Sequence, residues 1–224
     1  MQELTEIVMV FLILANLWLL ASSRLMVCIR IVACQGIVIS LLPFLINRHL
    51  LLTEFLAVAG VTAALKGFVF PWLLRRAMRE AKVRREIETS VPYSVSVLIG
   101  ILILAISLWI SSRLPMPKPE LTELIVPVSF FTILVGLFVI VSRVMALSQV
   151  LGYLVFENGI YAFGVALLLE QPLWVELGIL LDVFVAVFVM GIMIFHISRE
   201  FDNINTDQLS ELADWNSPEK EGRR

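Results

Sequence analysis

Residues Gly152–Pro172 read GYLVFENGIYAFGVALLLEQP, and Leu173–Ile197 read LWVELGILLDVFVAVFVMGIMIFHI. Both runs are apolar almost throughout, yet each places a carboxyl near its middle, Glu157 in the first and Asp182 in the second. A run of about 18 or more apolar residues is long enough to cross a bilayer as a helix. A charge at the centre of such a helix costs about 2.5–3.5 kcal/mol on insertion scales, so these residues usually face protein or water and mark an ion path.

The rest of the chain has the same texture. Of 224 residues, 59% are hydrophobic and 16% charged, where a soluble domain has about 45–50% and 25%. The mean hydropathy of +0.93 agrees. No soluble domain of useful size fits between the apolar runs. The fold class expected is all-α, a polytopic membrane protein with about seven transmembrane helices. The spans run from Ile7 to Ala21, Leu25 to Ile46, Leu51 to Leu74, Tyr93 to Ile110, Leu124 to Val141, Ser148 to Leu169 and Leu173 to Ile197. The opening MQELTE has acids and no base. A secretory signal needs a positive start, so the first run reads as a retained span.

Positive charge sets the orientation. Arg75, Arg76, Arg79, Lys82, Arg84 and Arg85 crowd the connection RRAMREAKVRREIE, and Arg199, Lys220, Arg223 and Arg224 follow the last span. Arg24 and Arg143 fall in short turns on the same side, against Arg48, Arg113 and Lys118 on the other. Lys and Arg mark the cytoplasmic side, which puts the N-terminus outside and the C-terminus in the cytoplasm. Arg30 and Lys66 lie within spans.

Ser23-Arg24-Leu25-Met26 matches Ser142-Arg143-Val144-Met145, and Glu54 then falls near Glu176. This reads either as a parallel repeat of three-helix units, helices 1–3 and 5–7, or as chance similarity of helix ends. The organisation expected is an N-terminal three-helix unit with its basic loop (1–90), a linking helix and outer loop (91–123), a C-terminal three-helix unit (124–198) and a cytoplasmic tail (199–224).

A rise of 1.5 Å per residue puts Glu157, Lys66 and Gln35 roughly 13, 12 and 15 Å from the cytoplasmic face, and Asp182 roughly 22 Å. Glu157, Lys66 and Gln35 therefore share a layer, with Asp182 further out. Burial and neighbouring charge move carboxyl and amine groups toward neutral titration, which suits a proton relay; an ion pair that only fixes helix packing is the other reading. Arg30 can snorkel to water. Glu54 and Glu176 lie near the outer face, where interfacial solvation explains them. Asn158 is a candidate hydrogen-bond partner, although neighbours in sequence point to different helix faces.

Other chemistry is poorly served. His49 and His196 fall at opposite faces, about 30 Å apart, too far for one haem. Cys28 and Cys34 lack metal-ligand spacing and read as two small buried residues. Gly159, Gly164 and Gly178 read as helix-packing positions. The tail SREFDNINTDQLSELADW carries Leu209, Leu212 and Trp215 at helical spacing in an acidic setting. That suits docking to a cytoplasmic partner better than lying on lipid.

The stretch from Ser142 to Asp202, with FENGIY, PLWVELGILLDVFVAVFVMGI and HISREFD, resembles the membrane subunit called hydrogenase-4 component E. Its C-terminal half is similar to the small three-helix subunit of complex I and to the C subunit of Mrp-type antiporters. The pattern ALKGFVFPWLLRR in the third span extends the resemblance over nearly the whole chain. It implies a non-catalytic subunit in the cytoplasmic (inner) membrane of a bacterium or archaeon, within a hydrogenase-4 or formate hydrogenlyase-like complex. Antiporter-like membrane subunits and peripheral hydrogenase subunits would be its partners. No cofactor is expected in this chain; nickel–iron and Fe–S centres would sit in the partner subunits. Two membrane glutamates of the complex I relative, which take part in proton translocation, fall on Glu157 and on Asp182, where this chain has the shorter acid. Lys66 matches a buried lysine. The alternatives are a structural anchor of such a complex, a complex without hydrogenase activity, or an Mrp-type cation/proton antiporter subunit.

Overall fold

The computed structural model describes residues 2–46, 60, 62–80, 90–114 and 123–167, and all of its regular structure is helical. The expected seventh span with Asp182 and Glu176, the first part of the expected third span with Glu54, the two histidines His49 and His196, Gly178 and the tail lie outside the described residues. The helices are α1 (Gln2–Ala21), α2 (Leu25–Ser40), the short α3 (Leu42–Ile46), α4 (Phe70–Glu80), α5 (Tyr93–Ser111), α6 (Ile125–Ser142) and α7 (Ala146–Leu167). A π-helical turn, Leu65–Val69, leads directly into α4.

Glu3–Ala21, Tyr93–Ser111 and Ile125–Ser142 are long and apolar enough to cross a membrane, the pattern of an integral membrane protein. Their exteriors agree. Ile7, Phe11, Leu14 and Trp18 form an exposed stripe on α1, and Leu98, Ile101, Leu102 and Trp109 are exposed on α5. The buried residues of α5 are Ser96, Gly100 and Ser107, so small side chains face the bundle and large ones face outward. This inverts the soluble pattern and follows the packing of helices in lipid. The serine hydroxyls cost little there, because Ser96 donates to Pro92 O, Ser107 to Ile103 O and Ser129 to Ile125 O, each one turn back.

Helix α6 is the centre and touches α1, α5 and α7. It pairs most closely with α7. A Cβ on Gly159 would stand 2.6 Å from the Ile133 nitrogen, and one on Gly152 would stand 2.8 Å from that of Ile140; Gly136 likewise faces the Phe156 backbone. As one number rises the other falls, so the helices are antiparallel and in backbone contact. Gly164 has open space instead and is not a packing position among the described residues. Helix α2 lies against α1 and α7, with the π turn and α4 on its outer side.

The second expected span does not run unbroken. The helix stops at Ser40 and resumes at Leu42, because Pro43 has no N–H and its ring obstructs the preceding turn. Cys28 is buried but Cys34 is exposed, and both are free thiols. Six residues advance a helix by about 240°, so the pair cannot share one face and the expectation of two buried cysteines fails at Cys34.

The matched Ser-Arg pairs have matching backbones. Arg24 (φ −101°, ψ 116°) and Arg143 (φ −99°, ψ 134°) are both extended residues between helices. Their side chains differ. Arg24 is exposed, while Arg143 is buried, donates through Nη2 to Leu20 O at 3.3 Å and lies over the Tyr93 ring at 5.1 Å. The sequence suggested only a topology charge at Arg143. The structure makes it the joint between the end of α1, the start of α5 and the α6–α7 turn.

Candidate functional site

Lys66 is the buried residue of the π turn. A π turn fits an extra residue into the helix and often marks functional positions. From that turn the lysine crosses α2 at Gly36, where any Cβ would stand 2.6 Å from Lys66 Cβ. Only glycine leaves this passage open. The side chain then ends against α7, with Nζ 2.8 Å from Glu157 Oε1 in an ion pair whose side chains are 4% and 2% exposed.

Nζ also donates to Asn158 Oδ1 at 3.1 Å and stands 5.2 Å from the centre of the Tyr161 ring. Neighbouring residues of one helix thus grip a single ammonium. A long side chain arriving between two helix faces reaches both, although Glu157 and Asn158 point apart. The grip is incomplete on the acid side. Glu157 Oε2 is buried and accepts no hydrogen bond among the described residues. An unsatisfied buried acceptor is costly and is the kind of exception that calls for an explanation in function or strain.

A second polar cluster lies beside the first. Gln35 Nε2 donates to Asn16 Oδ1 at 3.0 Å, Asn16 Nδ2 donates to Thr132 Oγ1 at 2.9 Å, and Thr132 Oγ1 donates to Val128 O at 2.8 Å. All three side chains are buried, and they tie α1, α2 and α6 together. Gln35 adjoins the glycine that Lys66 crosses, and Thr132 adjoins Ile133, which faces Gly159. The two clusters therefore occupy one level of the bundle. Gln35 Oε1 has no hydrogen-bond partner among the described residues.

Of the residues singled out in sequence, the structure brings Lys66, Glu157 and Asn158 into contact and sets Gln35 next to them. Arg30 is exposed on α2, apart from the pair. Asn16 and Thr132 went unnoticed in sequence, though a polar residue amid an apolar span (ILANLW) is the signal that marks Gln35. Among the described residues, no three His, Cys, Asp or Glu side chains gather as metal ligands would.

The chain is 34% identical over 204 residues to the protein Rv0085 of Mycobacterium tuberculosis (strain ATCC 25618 / H37Rv), described as uncharacterized, covering 91% of this chain and 93% of that protein. The chain belongs to the Rv0085 family. No protein-family model and no solved structure matches it. The aligned share includes most of the described bundle.

Proposed function

We propose that the chain is a non-catalytic membrane subunit of a complex I-related, hydrogenase-4-like complex, and that Lys66 and Glu157 take part in its redox-coupled proton movement. Asp182 would be a further step on the seventh span, in a seven-span chain with its N-terminus outside. The sealed Lys66–Glu157 contact carries the reading. A charged pair inside a membrane bundle is expensive to desolvate, and this one leaves an acceptor oxygen without a hydrogen bond among the described residues. The resemblance to hydrogenase-4 component E supports the type of complex. The expected outcome is that Glu157→Gln and Asp182→Asn leave the complex assembled but slow or uncouple proton movement, measured with a pH-sensitive dye in inverted membrane vesicles. Wild-type coupling in both variants sinks the relay.

A second reading is a structural anchor, favoured by the way Lys66 ties the π turn to α7. Under it, the same substitutions lower the yield of complex while coupling per assembled complex stays unchanged.

A further inference from the structure

We propose that the outward strip of α4 and of the turn before it binds an anionic phospholipid: Arg75, Arg76 and Arg79 hold the headgroup phosphate while Phe68, Val69 and Trp72 lie against the acyl chains. The inference does not depend on the proton-transfer reading; it needs only that the bundle sits in a bilayer.

The strip follows from helical spacing. Residues three and four apart share a face, so Phe68, Val69, Trp72, Arg75, Arg76 and Arg79 fall on one side. All six are exposed, Phe68 at 73% and Trp72 at 51%, and this side of the π turn therefore lies at the rim of the described bundle. Between them, Phe70, Leu73, Leu74 and Ala77 are buried in the core. The strip covers about 16 Å of rise. It is apolar over its first half and basic over its second, and it changes where the expected third span ends, at Leu74. That order matches a lipid, tails first and headgroup after.

The arginines are not posed as ordinary topology charges. A basic side chain at a membrane boundary usually stretches away from the apolar region so that its head reaches water. Arg75 instead bends back and donates from Nε to Pro71 O at 3.0 Å, and the Arg76 guanidinium stands 5.6 Å from the centre of the Trp72 ring. Pro71 and Trp72 each lie one turn earlier, toward the apolar half of the strip. Two positive heads are thus drawn up against the part of the helix that acyl chains would cover, where a cation needs an anion beside it.

Phosphate is the anion that suits them. A guanidinium is a planar fork that matches phosphate oxygens two at a time. The Arg75 bond uses Nε and leaves both terminal nitrogens for such a contact, and Arg79 follows one turn on. Bases clustered just beyond a span draw anionic lipid, whereas a zwitterionic headgroup brings an ammonium that three arginines repel. A lone Trp–Arg pair does not make the site. Arg113 lies over Trp109 at 5.8 Å, but it has no other Lys or Arg beside it in residues 93–114.

The test uses the full chain, purified in mild detergent and mixed with micelles holding equal amounts of phosphatidylglycerol and phosphatidylcholine of the same acyl chains. Native mass spectrometry should find phosphatidylglycerol retained about tenfold in preference. Arg75→Gln, Arg76→Gln and Arg79→Gln together should bring the ratio close to one, while Arg113→Gln should leave it unchanged. Glycerol phosphate, a headgroup without tails, should not displace the lipid. A wild type without preference overturns the proposal, as does an equal loss in Arg113→Gln or displacement by glycerol phosphate. A preference that survives the triple variant overturns it too, and if that variant also sheds a protein subunit the strip is a subunit contact instead. A second measurement leaves every charge in place. The share of fluorescence that Trp72→Phe removes should be quenched more strongly by phosphatidylglycerol brominated in its tails than by phosphatidylcholine brominated alike, each as the same minor component of phosphatidylcholine vesicles. Equal quenching by the two lipids sinks the site.

Discussion

Two polar clusters share one level of this bundle and are built on opposite terms. Asn16, Gln35 and Thr132 are neutral and lie between three helices; Gln35 donates to Asn16, Asn16 to Thr132 and Thr132 to the Val128 carbonyl, and Gln35 Oε1 has no hydrogen-bond partner among the described residues. Lys66 and Glu157 are charged and join the rim turn to α7, and they likewise leave one oxygen, Glu157 Oε2, without a hydrogen-bond partner among the described residues. A neutral cluster can hold helices in register for little desolvation. A charged one at the same depth is a costly way to do that, and under the proposed function the difference separates a fastening from a relay site.

The comparison is broken most forcefully at Lys66. Lys66→Met strands Glu157 without its partner, and removing one member of a buried ion pair costs about 3–5 kcal/mol. The expected outcome is a large loss of unfolding free energy in detergent titration. Lys66→Met with Glu157→Leu, which removes both charges, should regain most of it while proton movement stays lost. If the single variant is no less stable than the neutral-cluster variants below, the pair is not held as a buried charge.

The charged cluster was readable because an ionisable residue inside an apolar run is conspicuous. Counting rise per residue placed Lys66, Glu157 and Gln35 near one level, since the apolar runs have sharp ends and helices have a fixed pitch. The π turn was not readable. One additional residue in a turn leaves no mark in composition, yet it decides where Lys66 points. Arg143 was missed for a different reason. Its charge is visible, but its burial follows from three helix ends meeting around it, which no local pattern announces. Asn16 and Thr132 escaped because uncharged residues barely disturb an apolar average.

The next effect in size is at the neutral cluster. Asn16→Leu removes the link between α1 and its two neighbours, leaving Gln35 Nε2 without the acceptor it uses and Thr132 Oγ1 without its donor. An orphaned buried group costs about 1–3 kcal/mol, so stability and complex yield should fall. Coupling per assembled complex should stay at the wild-type level. Lost coupling with normal yield would place the amides on the proton path and erase the distinction between the clusters.

The smallest effect sharpens the comparison most finely. Thr132 has two attachments: it accepts from Asn16 and donates to Val128 O within its own helix. Thr132→Val keeps the shape and the helix while deleting the acceptor. Hydrogen bonds between helices in a membrane average about 0.6 kcal/mol and reach about 1.7, so a loss of that size is expected in the same detergent titration. Thr132→Ser keeps the oxygen and should hold more of the stability despite losing a methyl group. If Val proves as stable as Thr while Ser is weaker, the methyl packing rather than the hydroxyl matters. The cluster is then fastened by Asn16 and Gln35 alone, and α6 is held in place chiefly by its glycine contacts with α7.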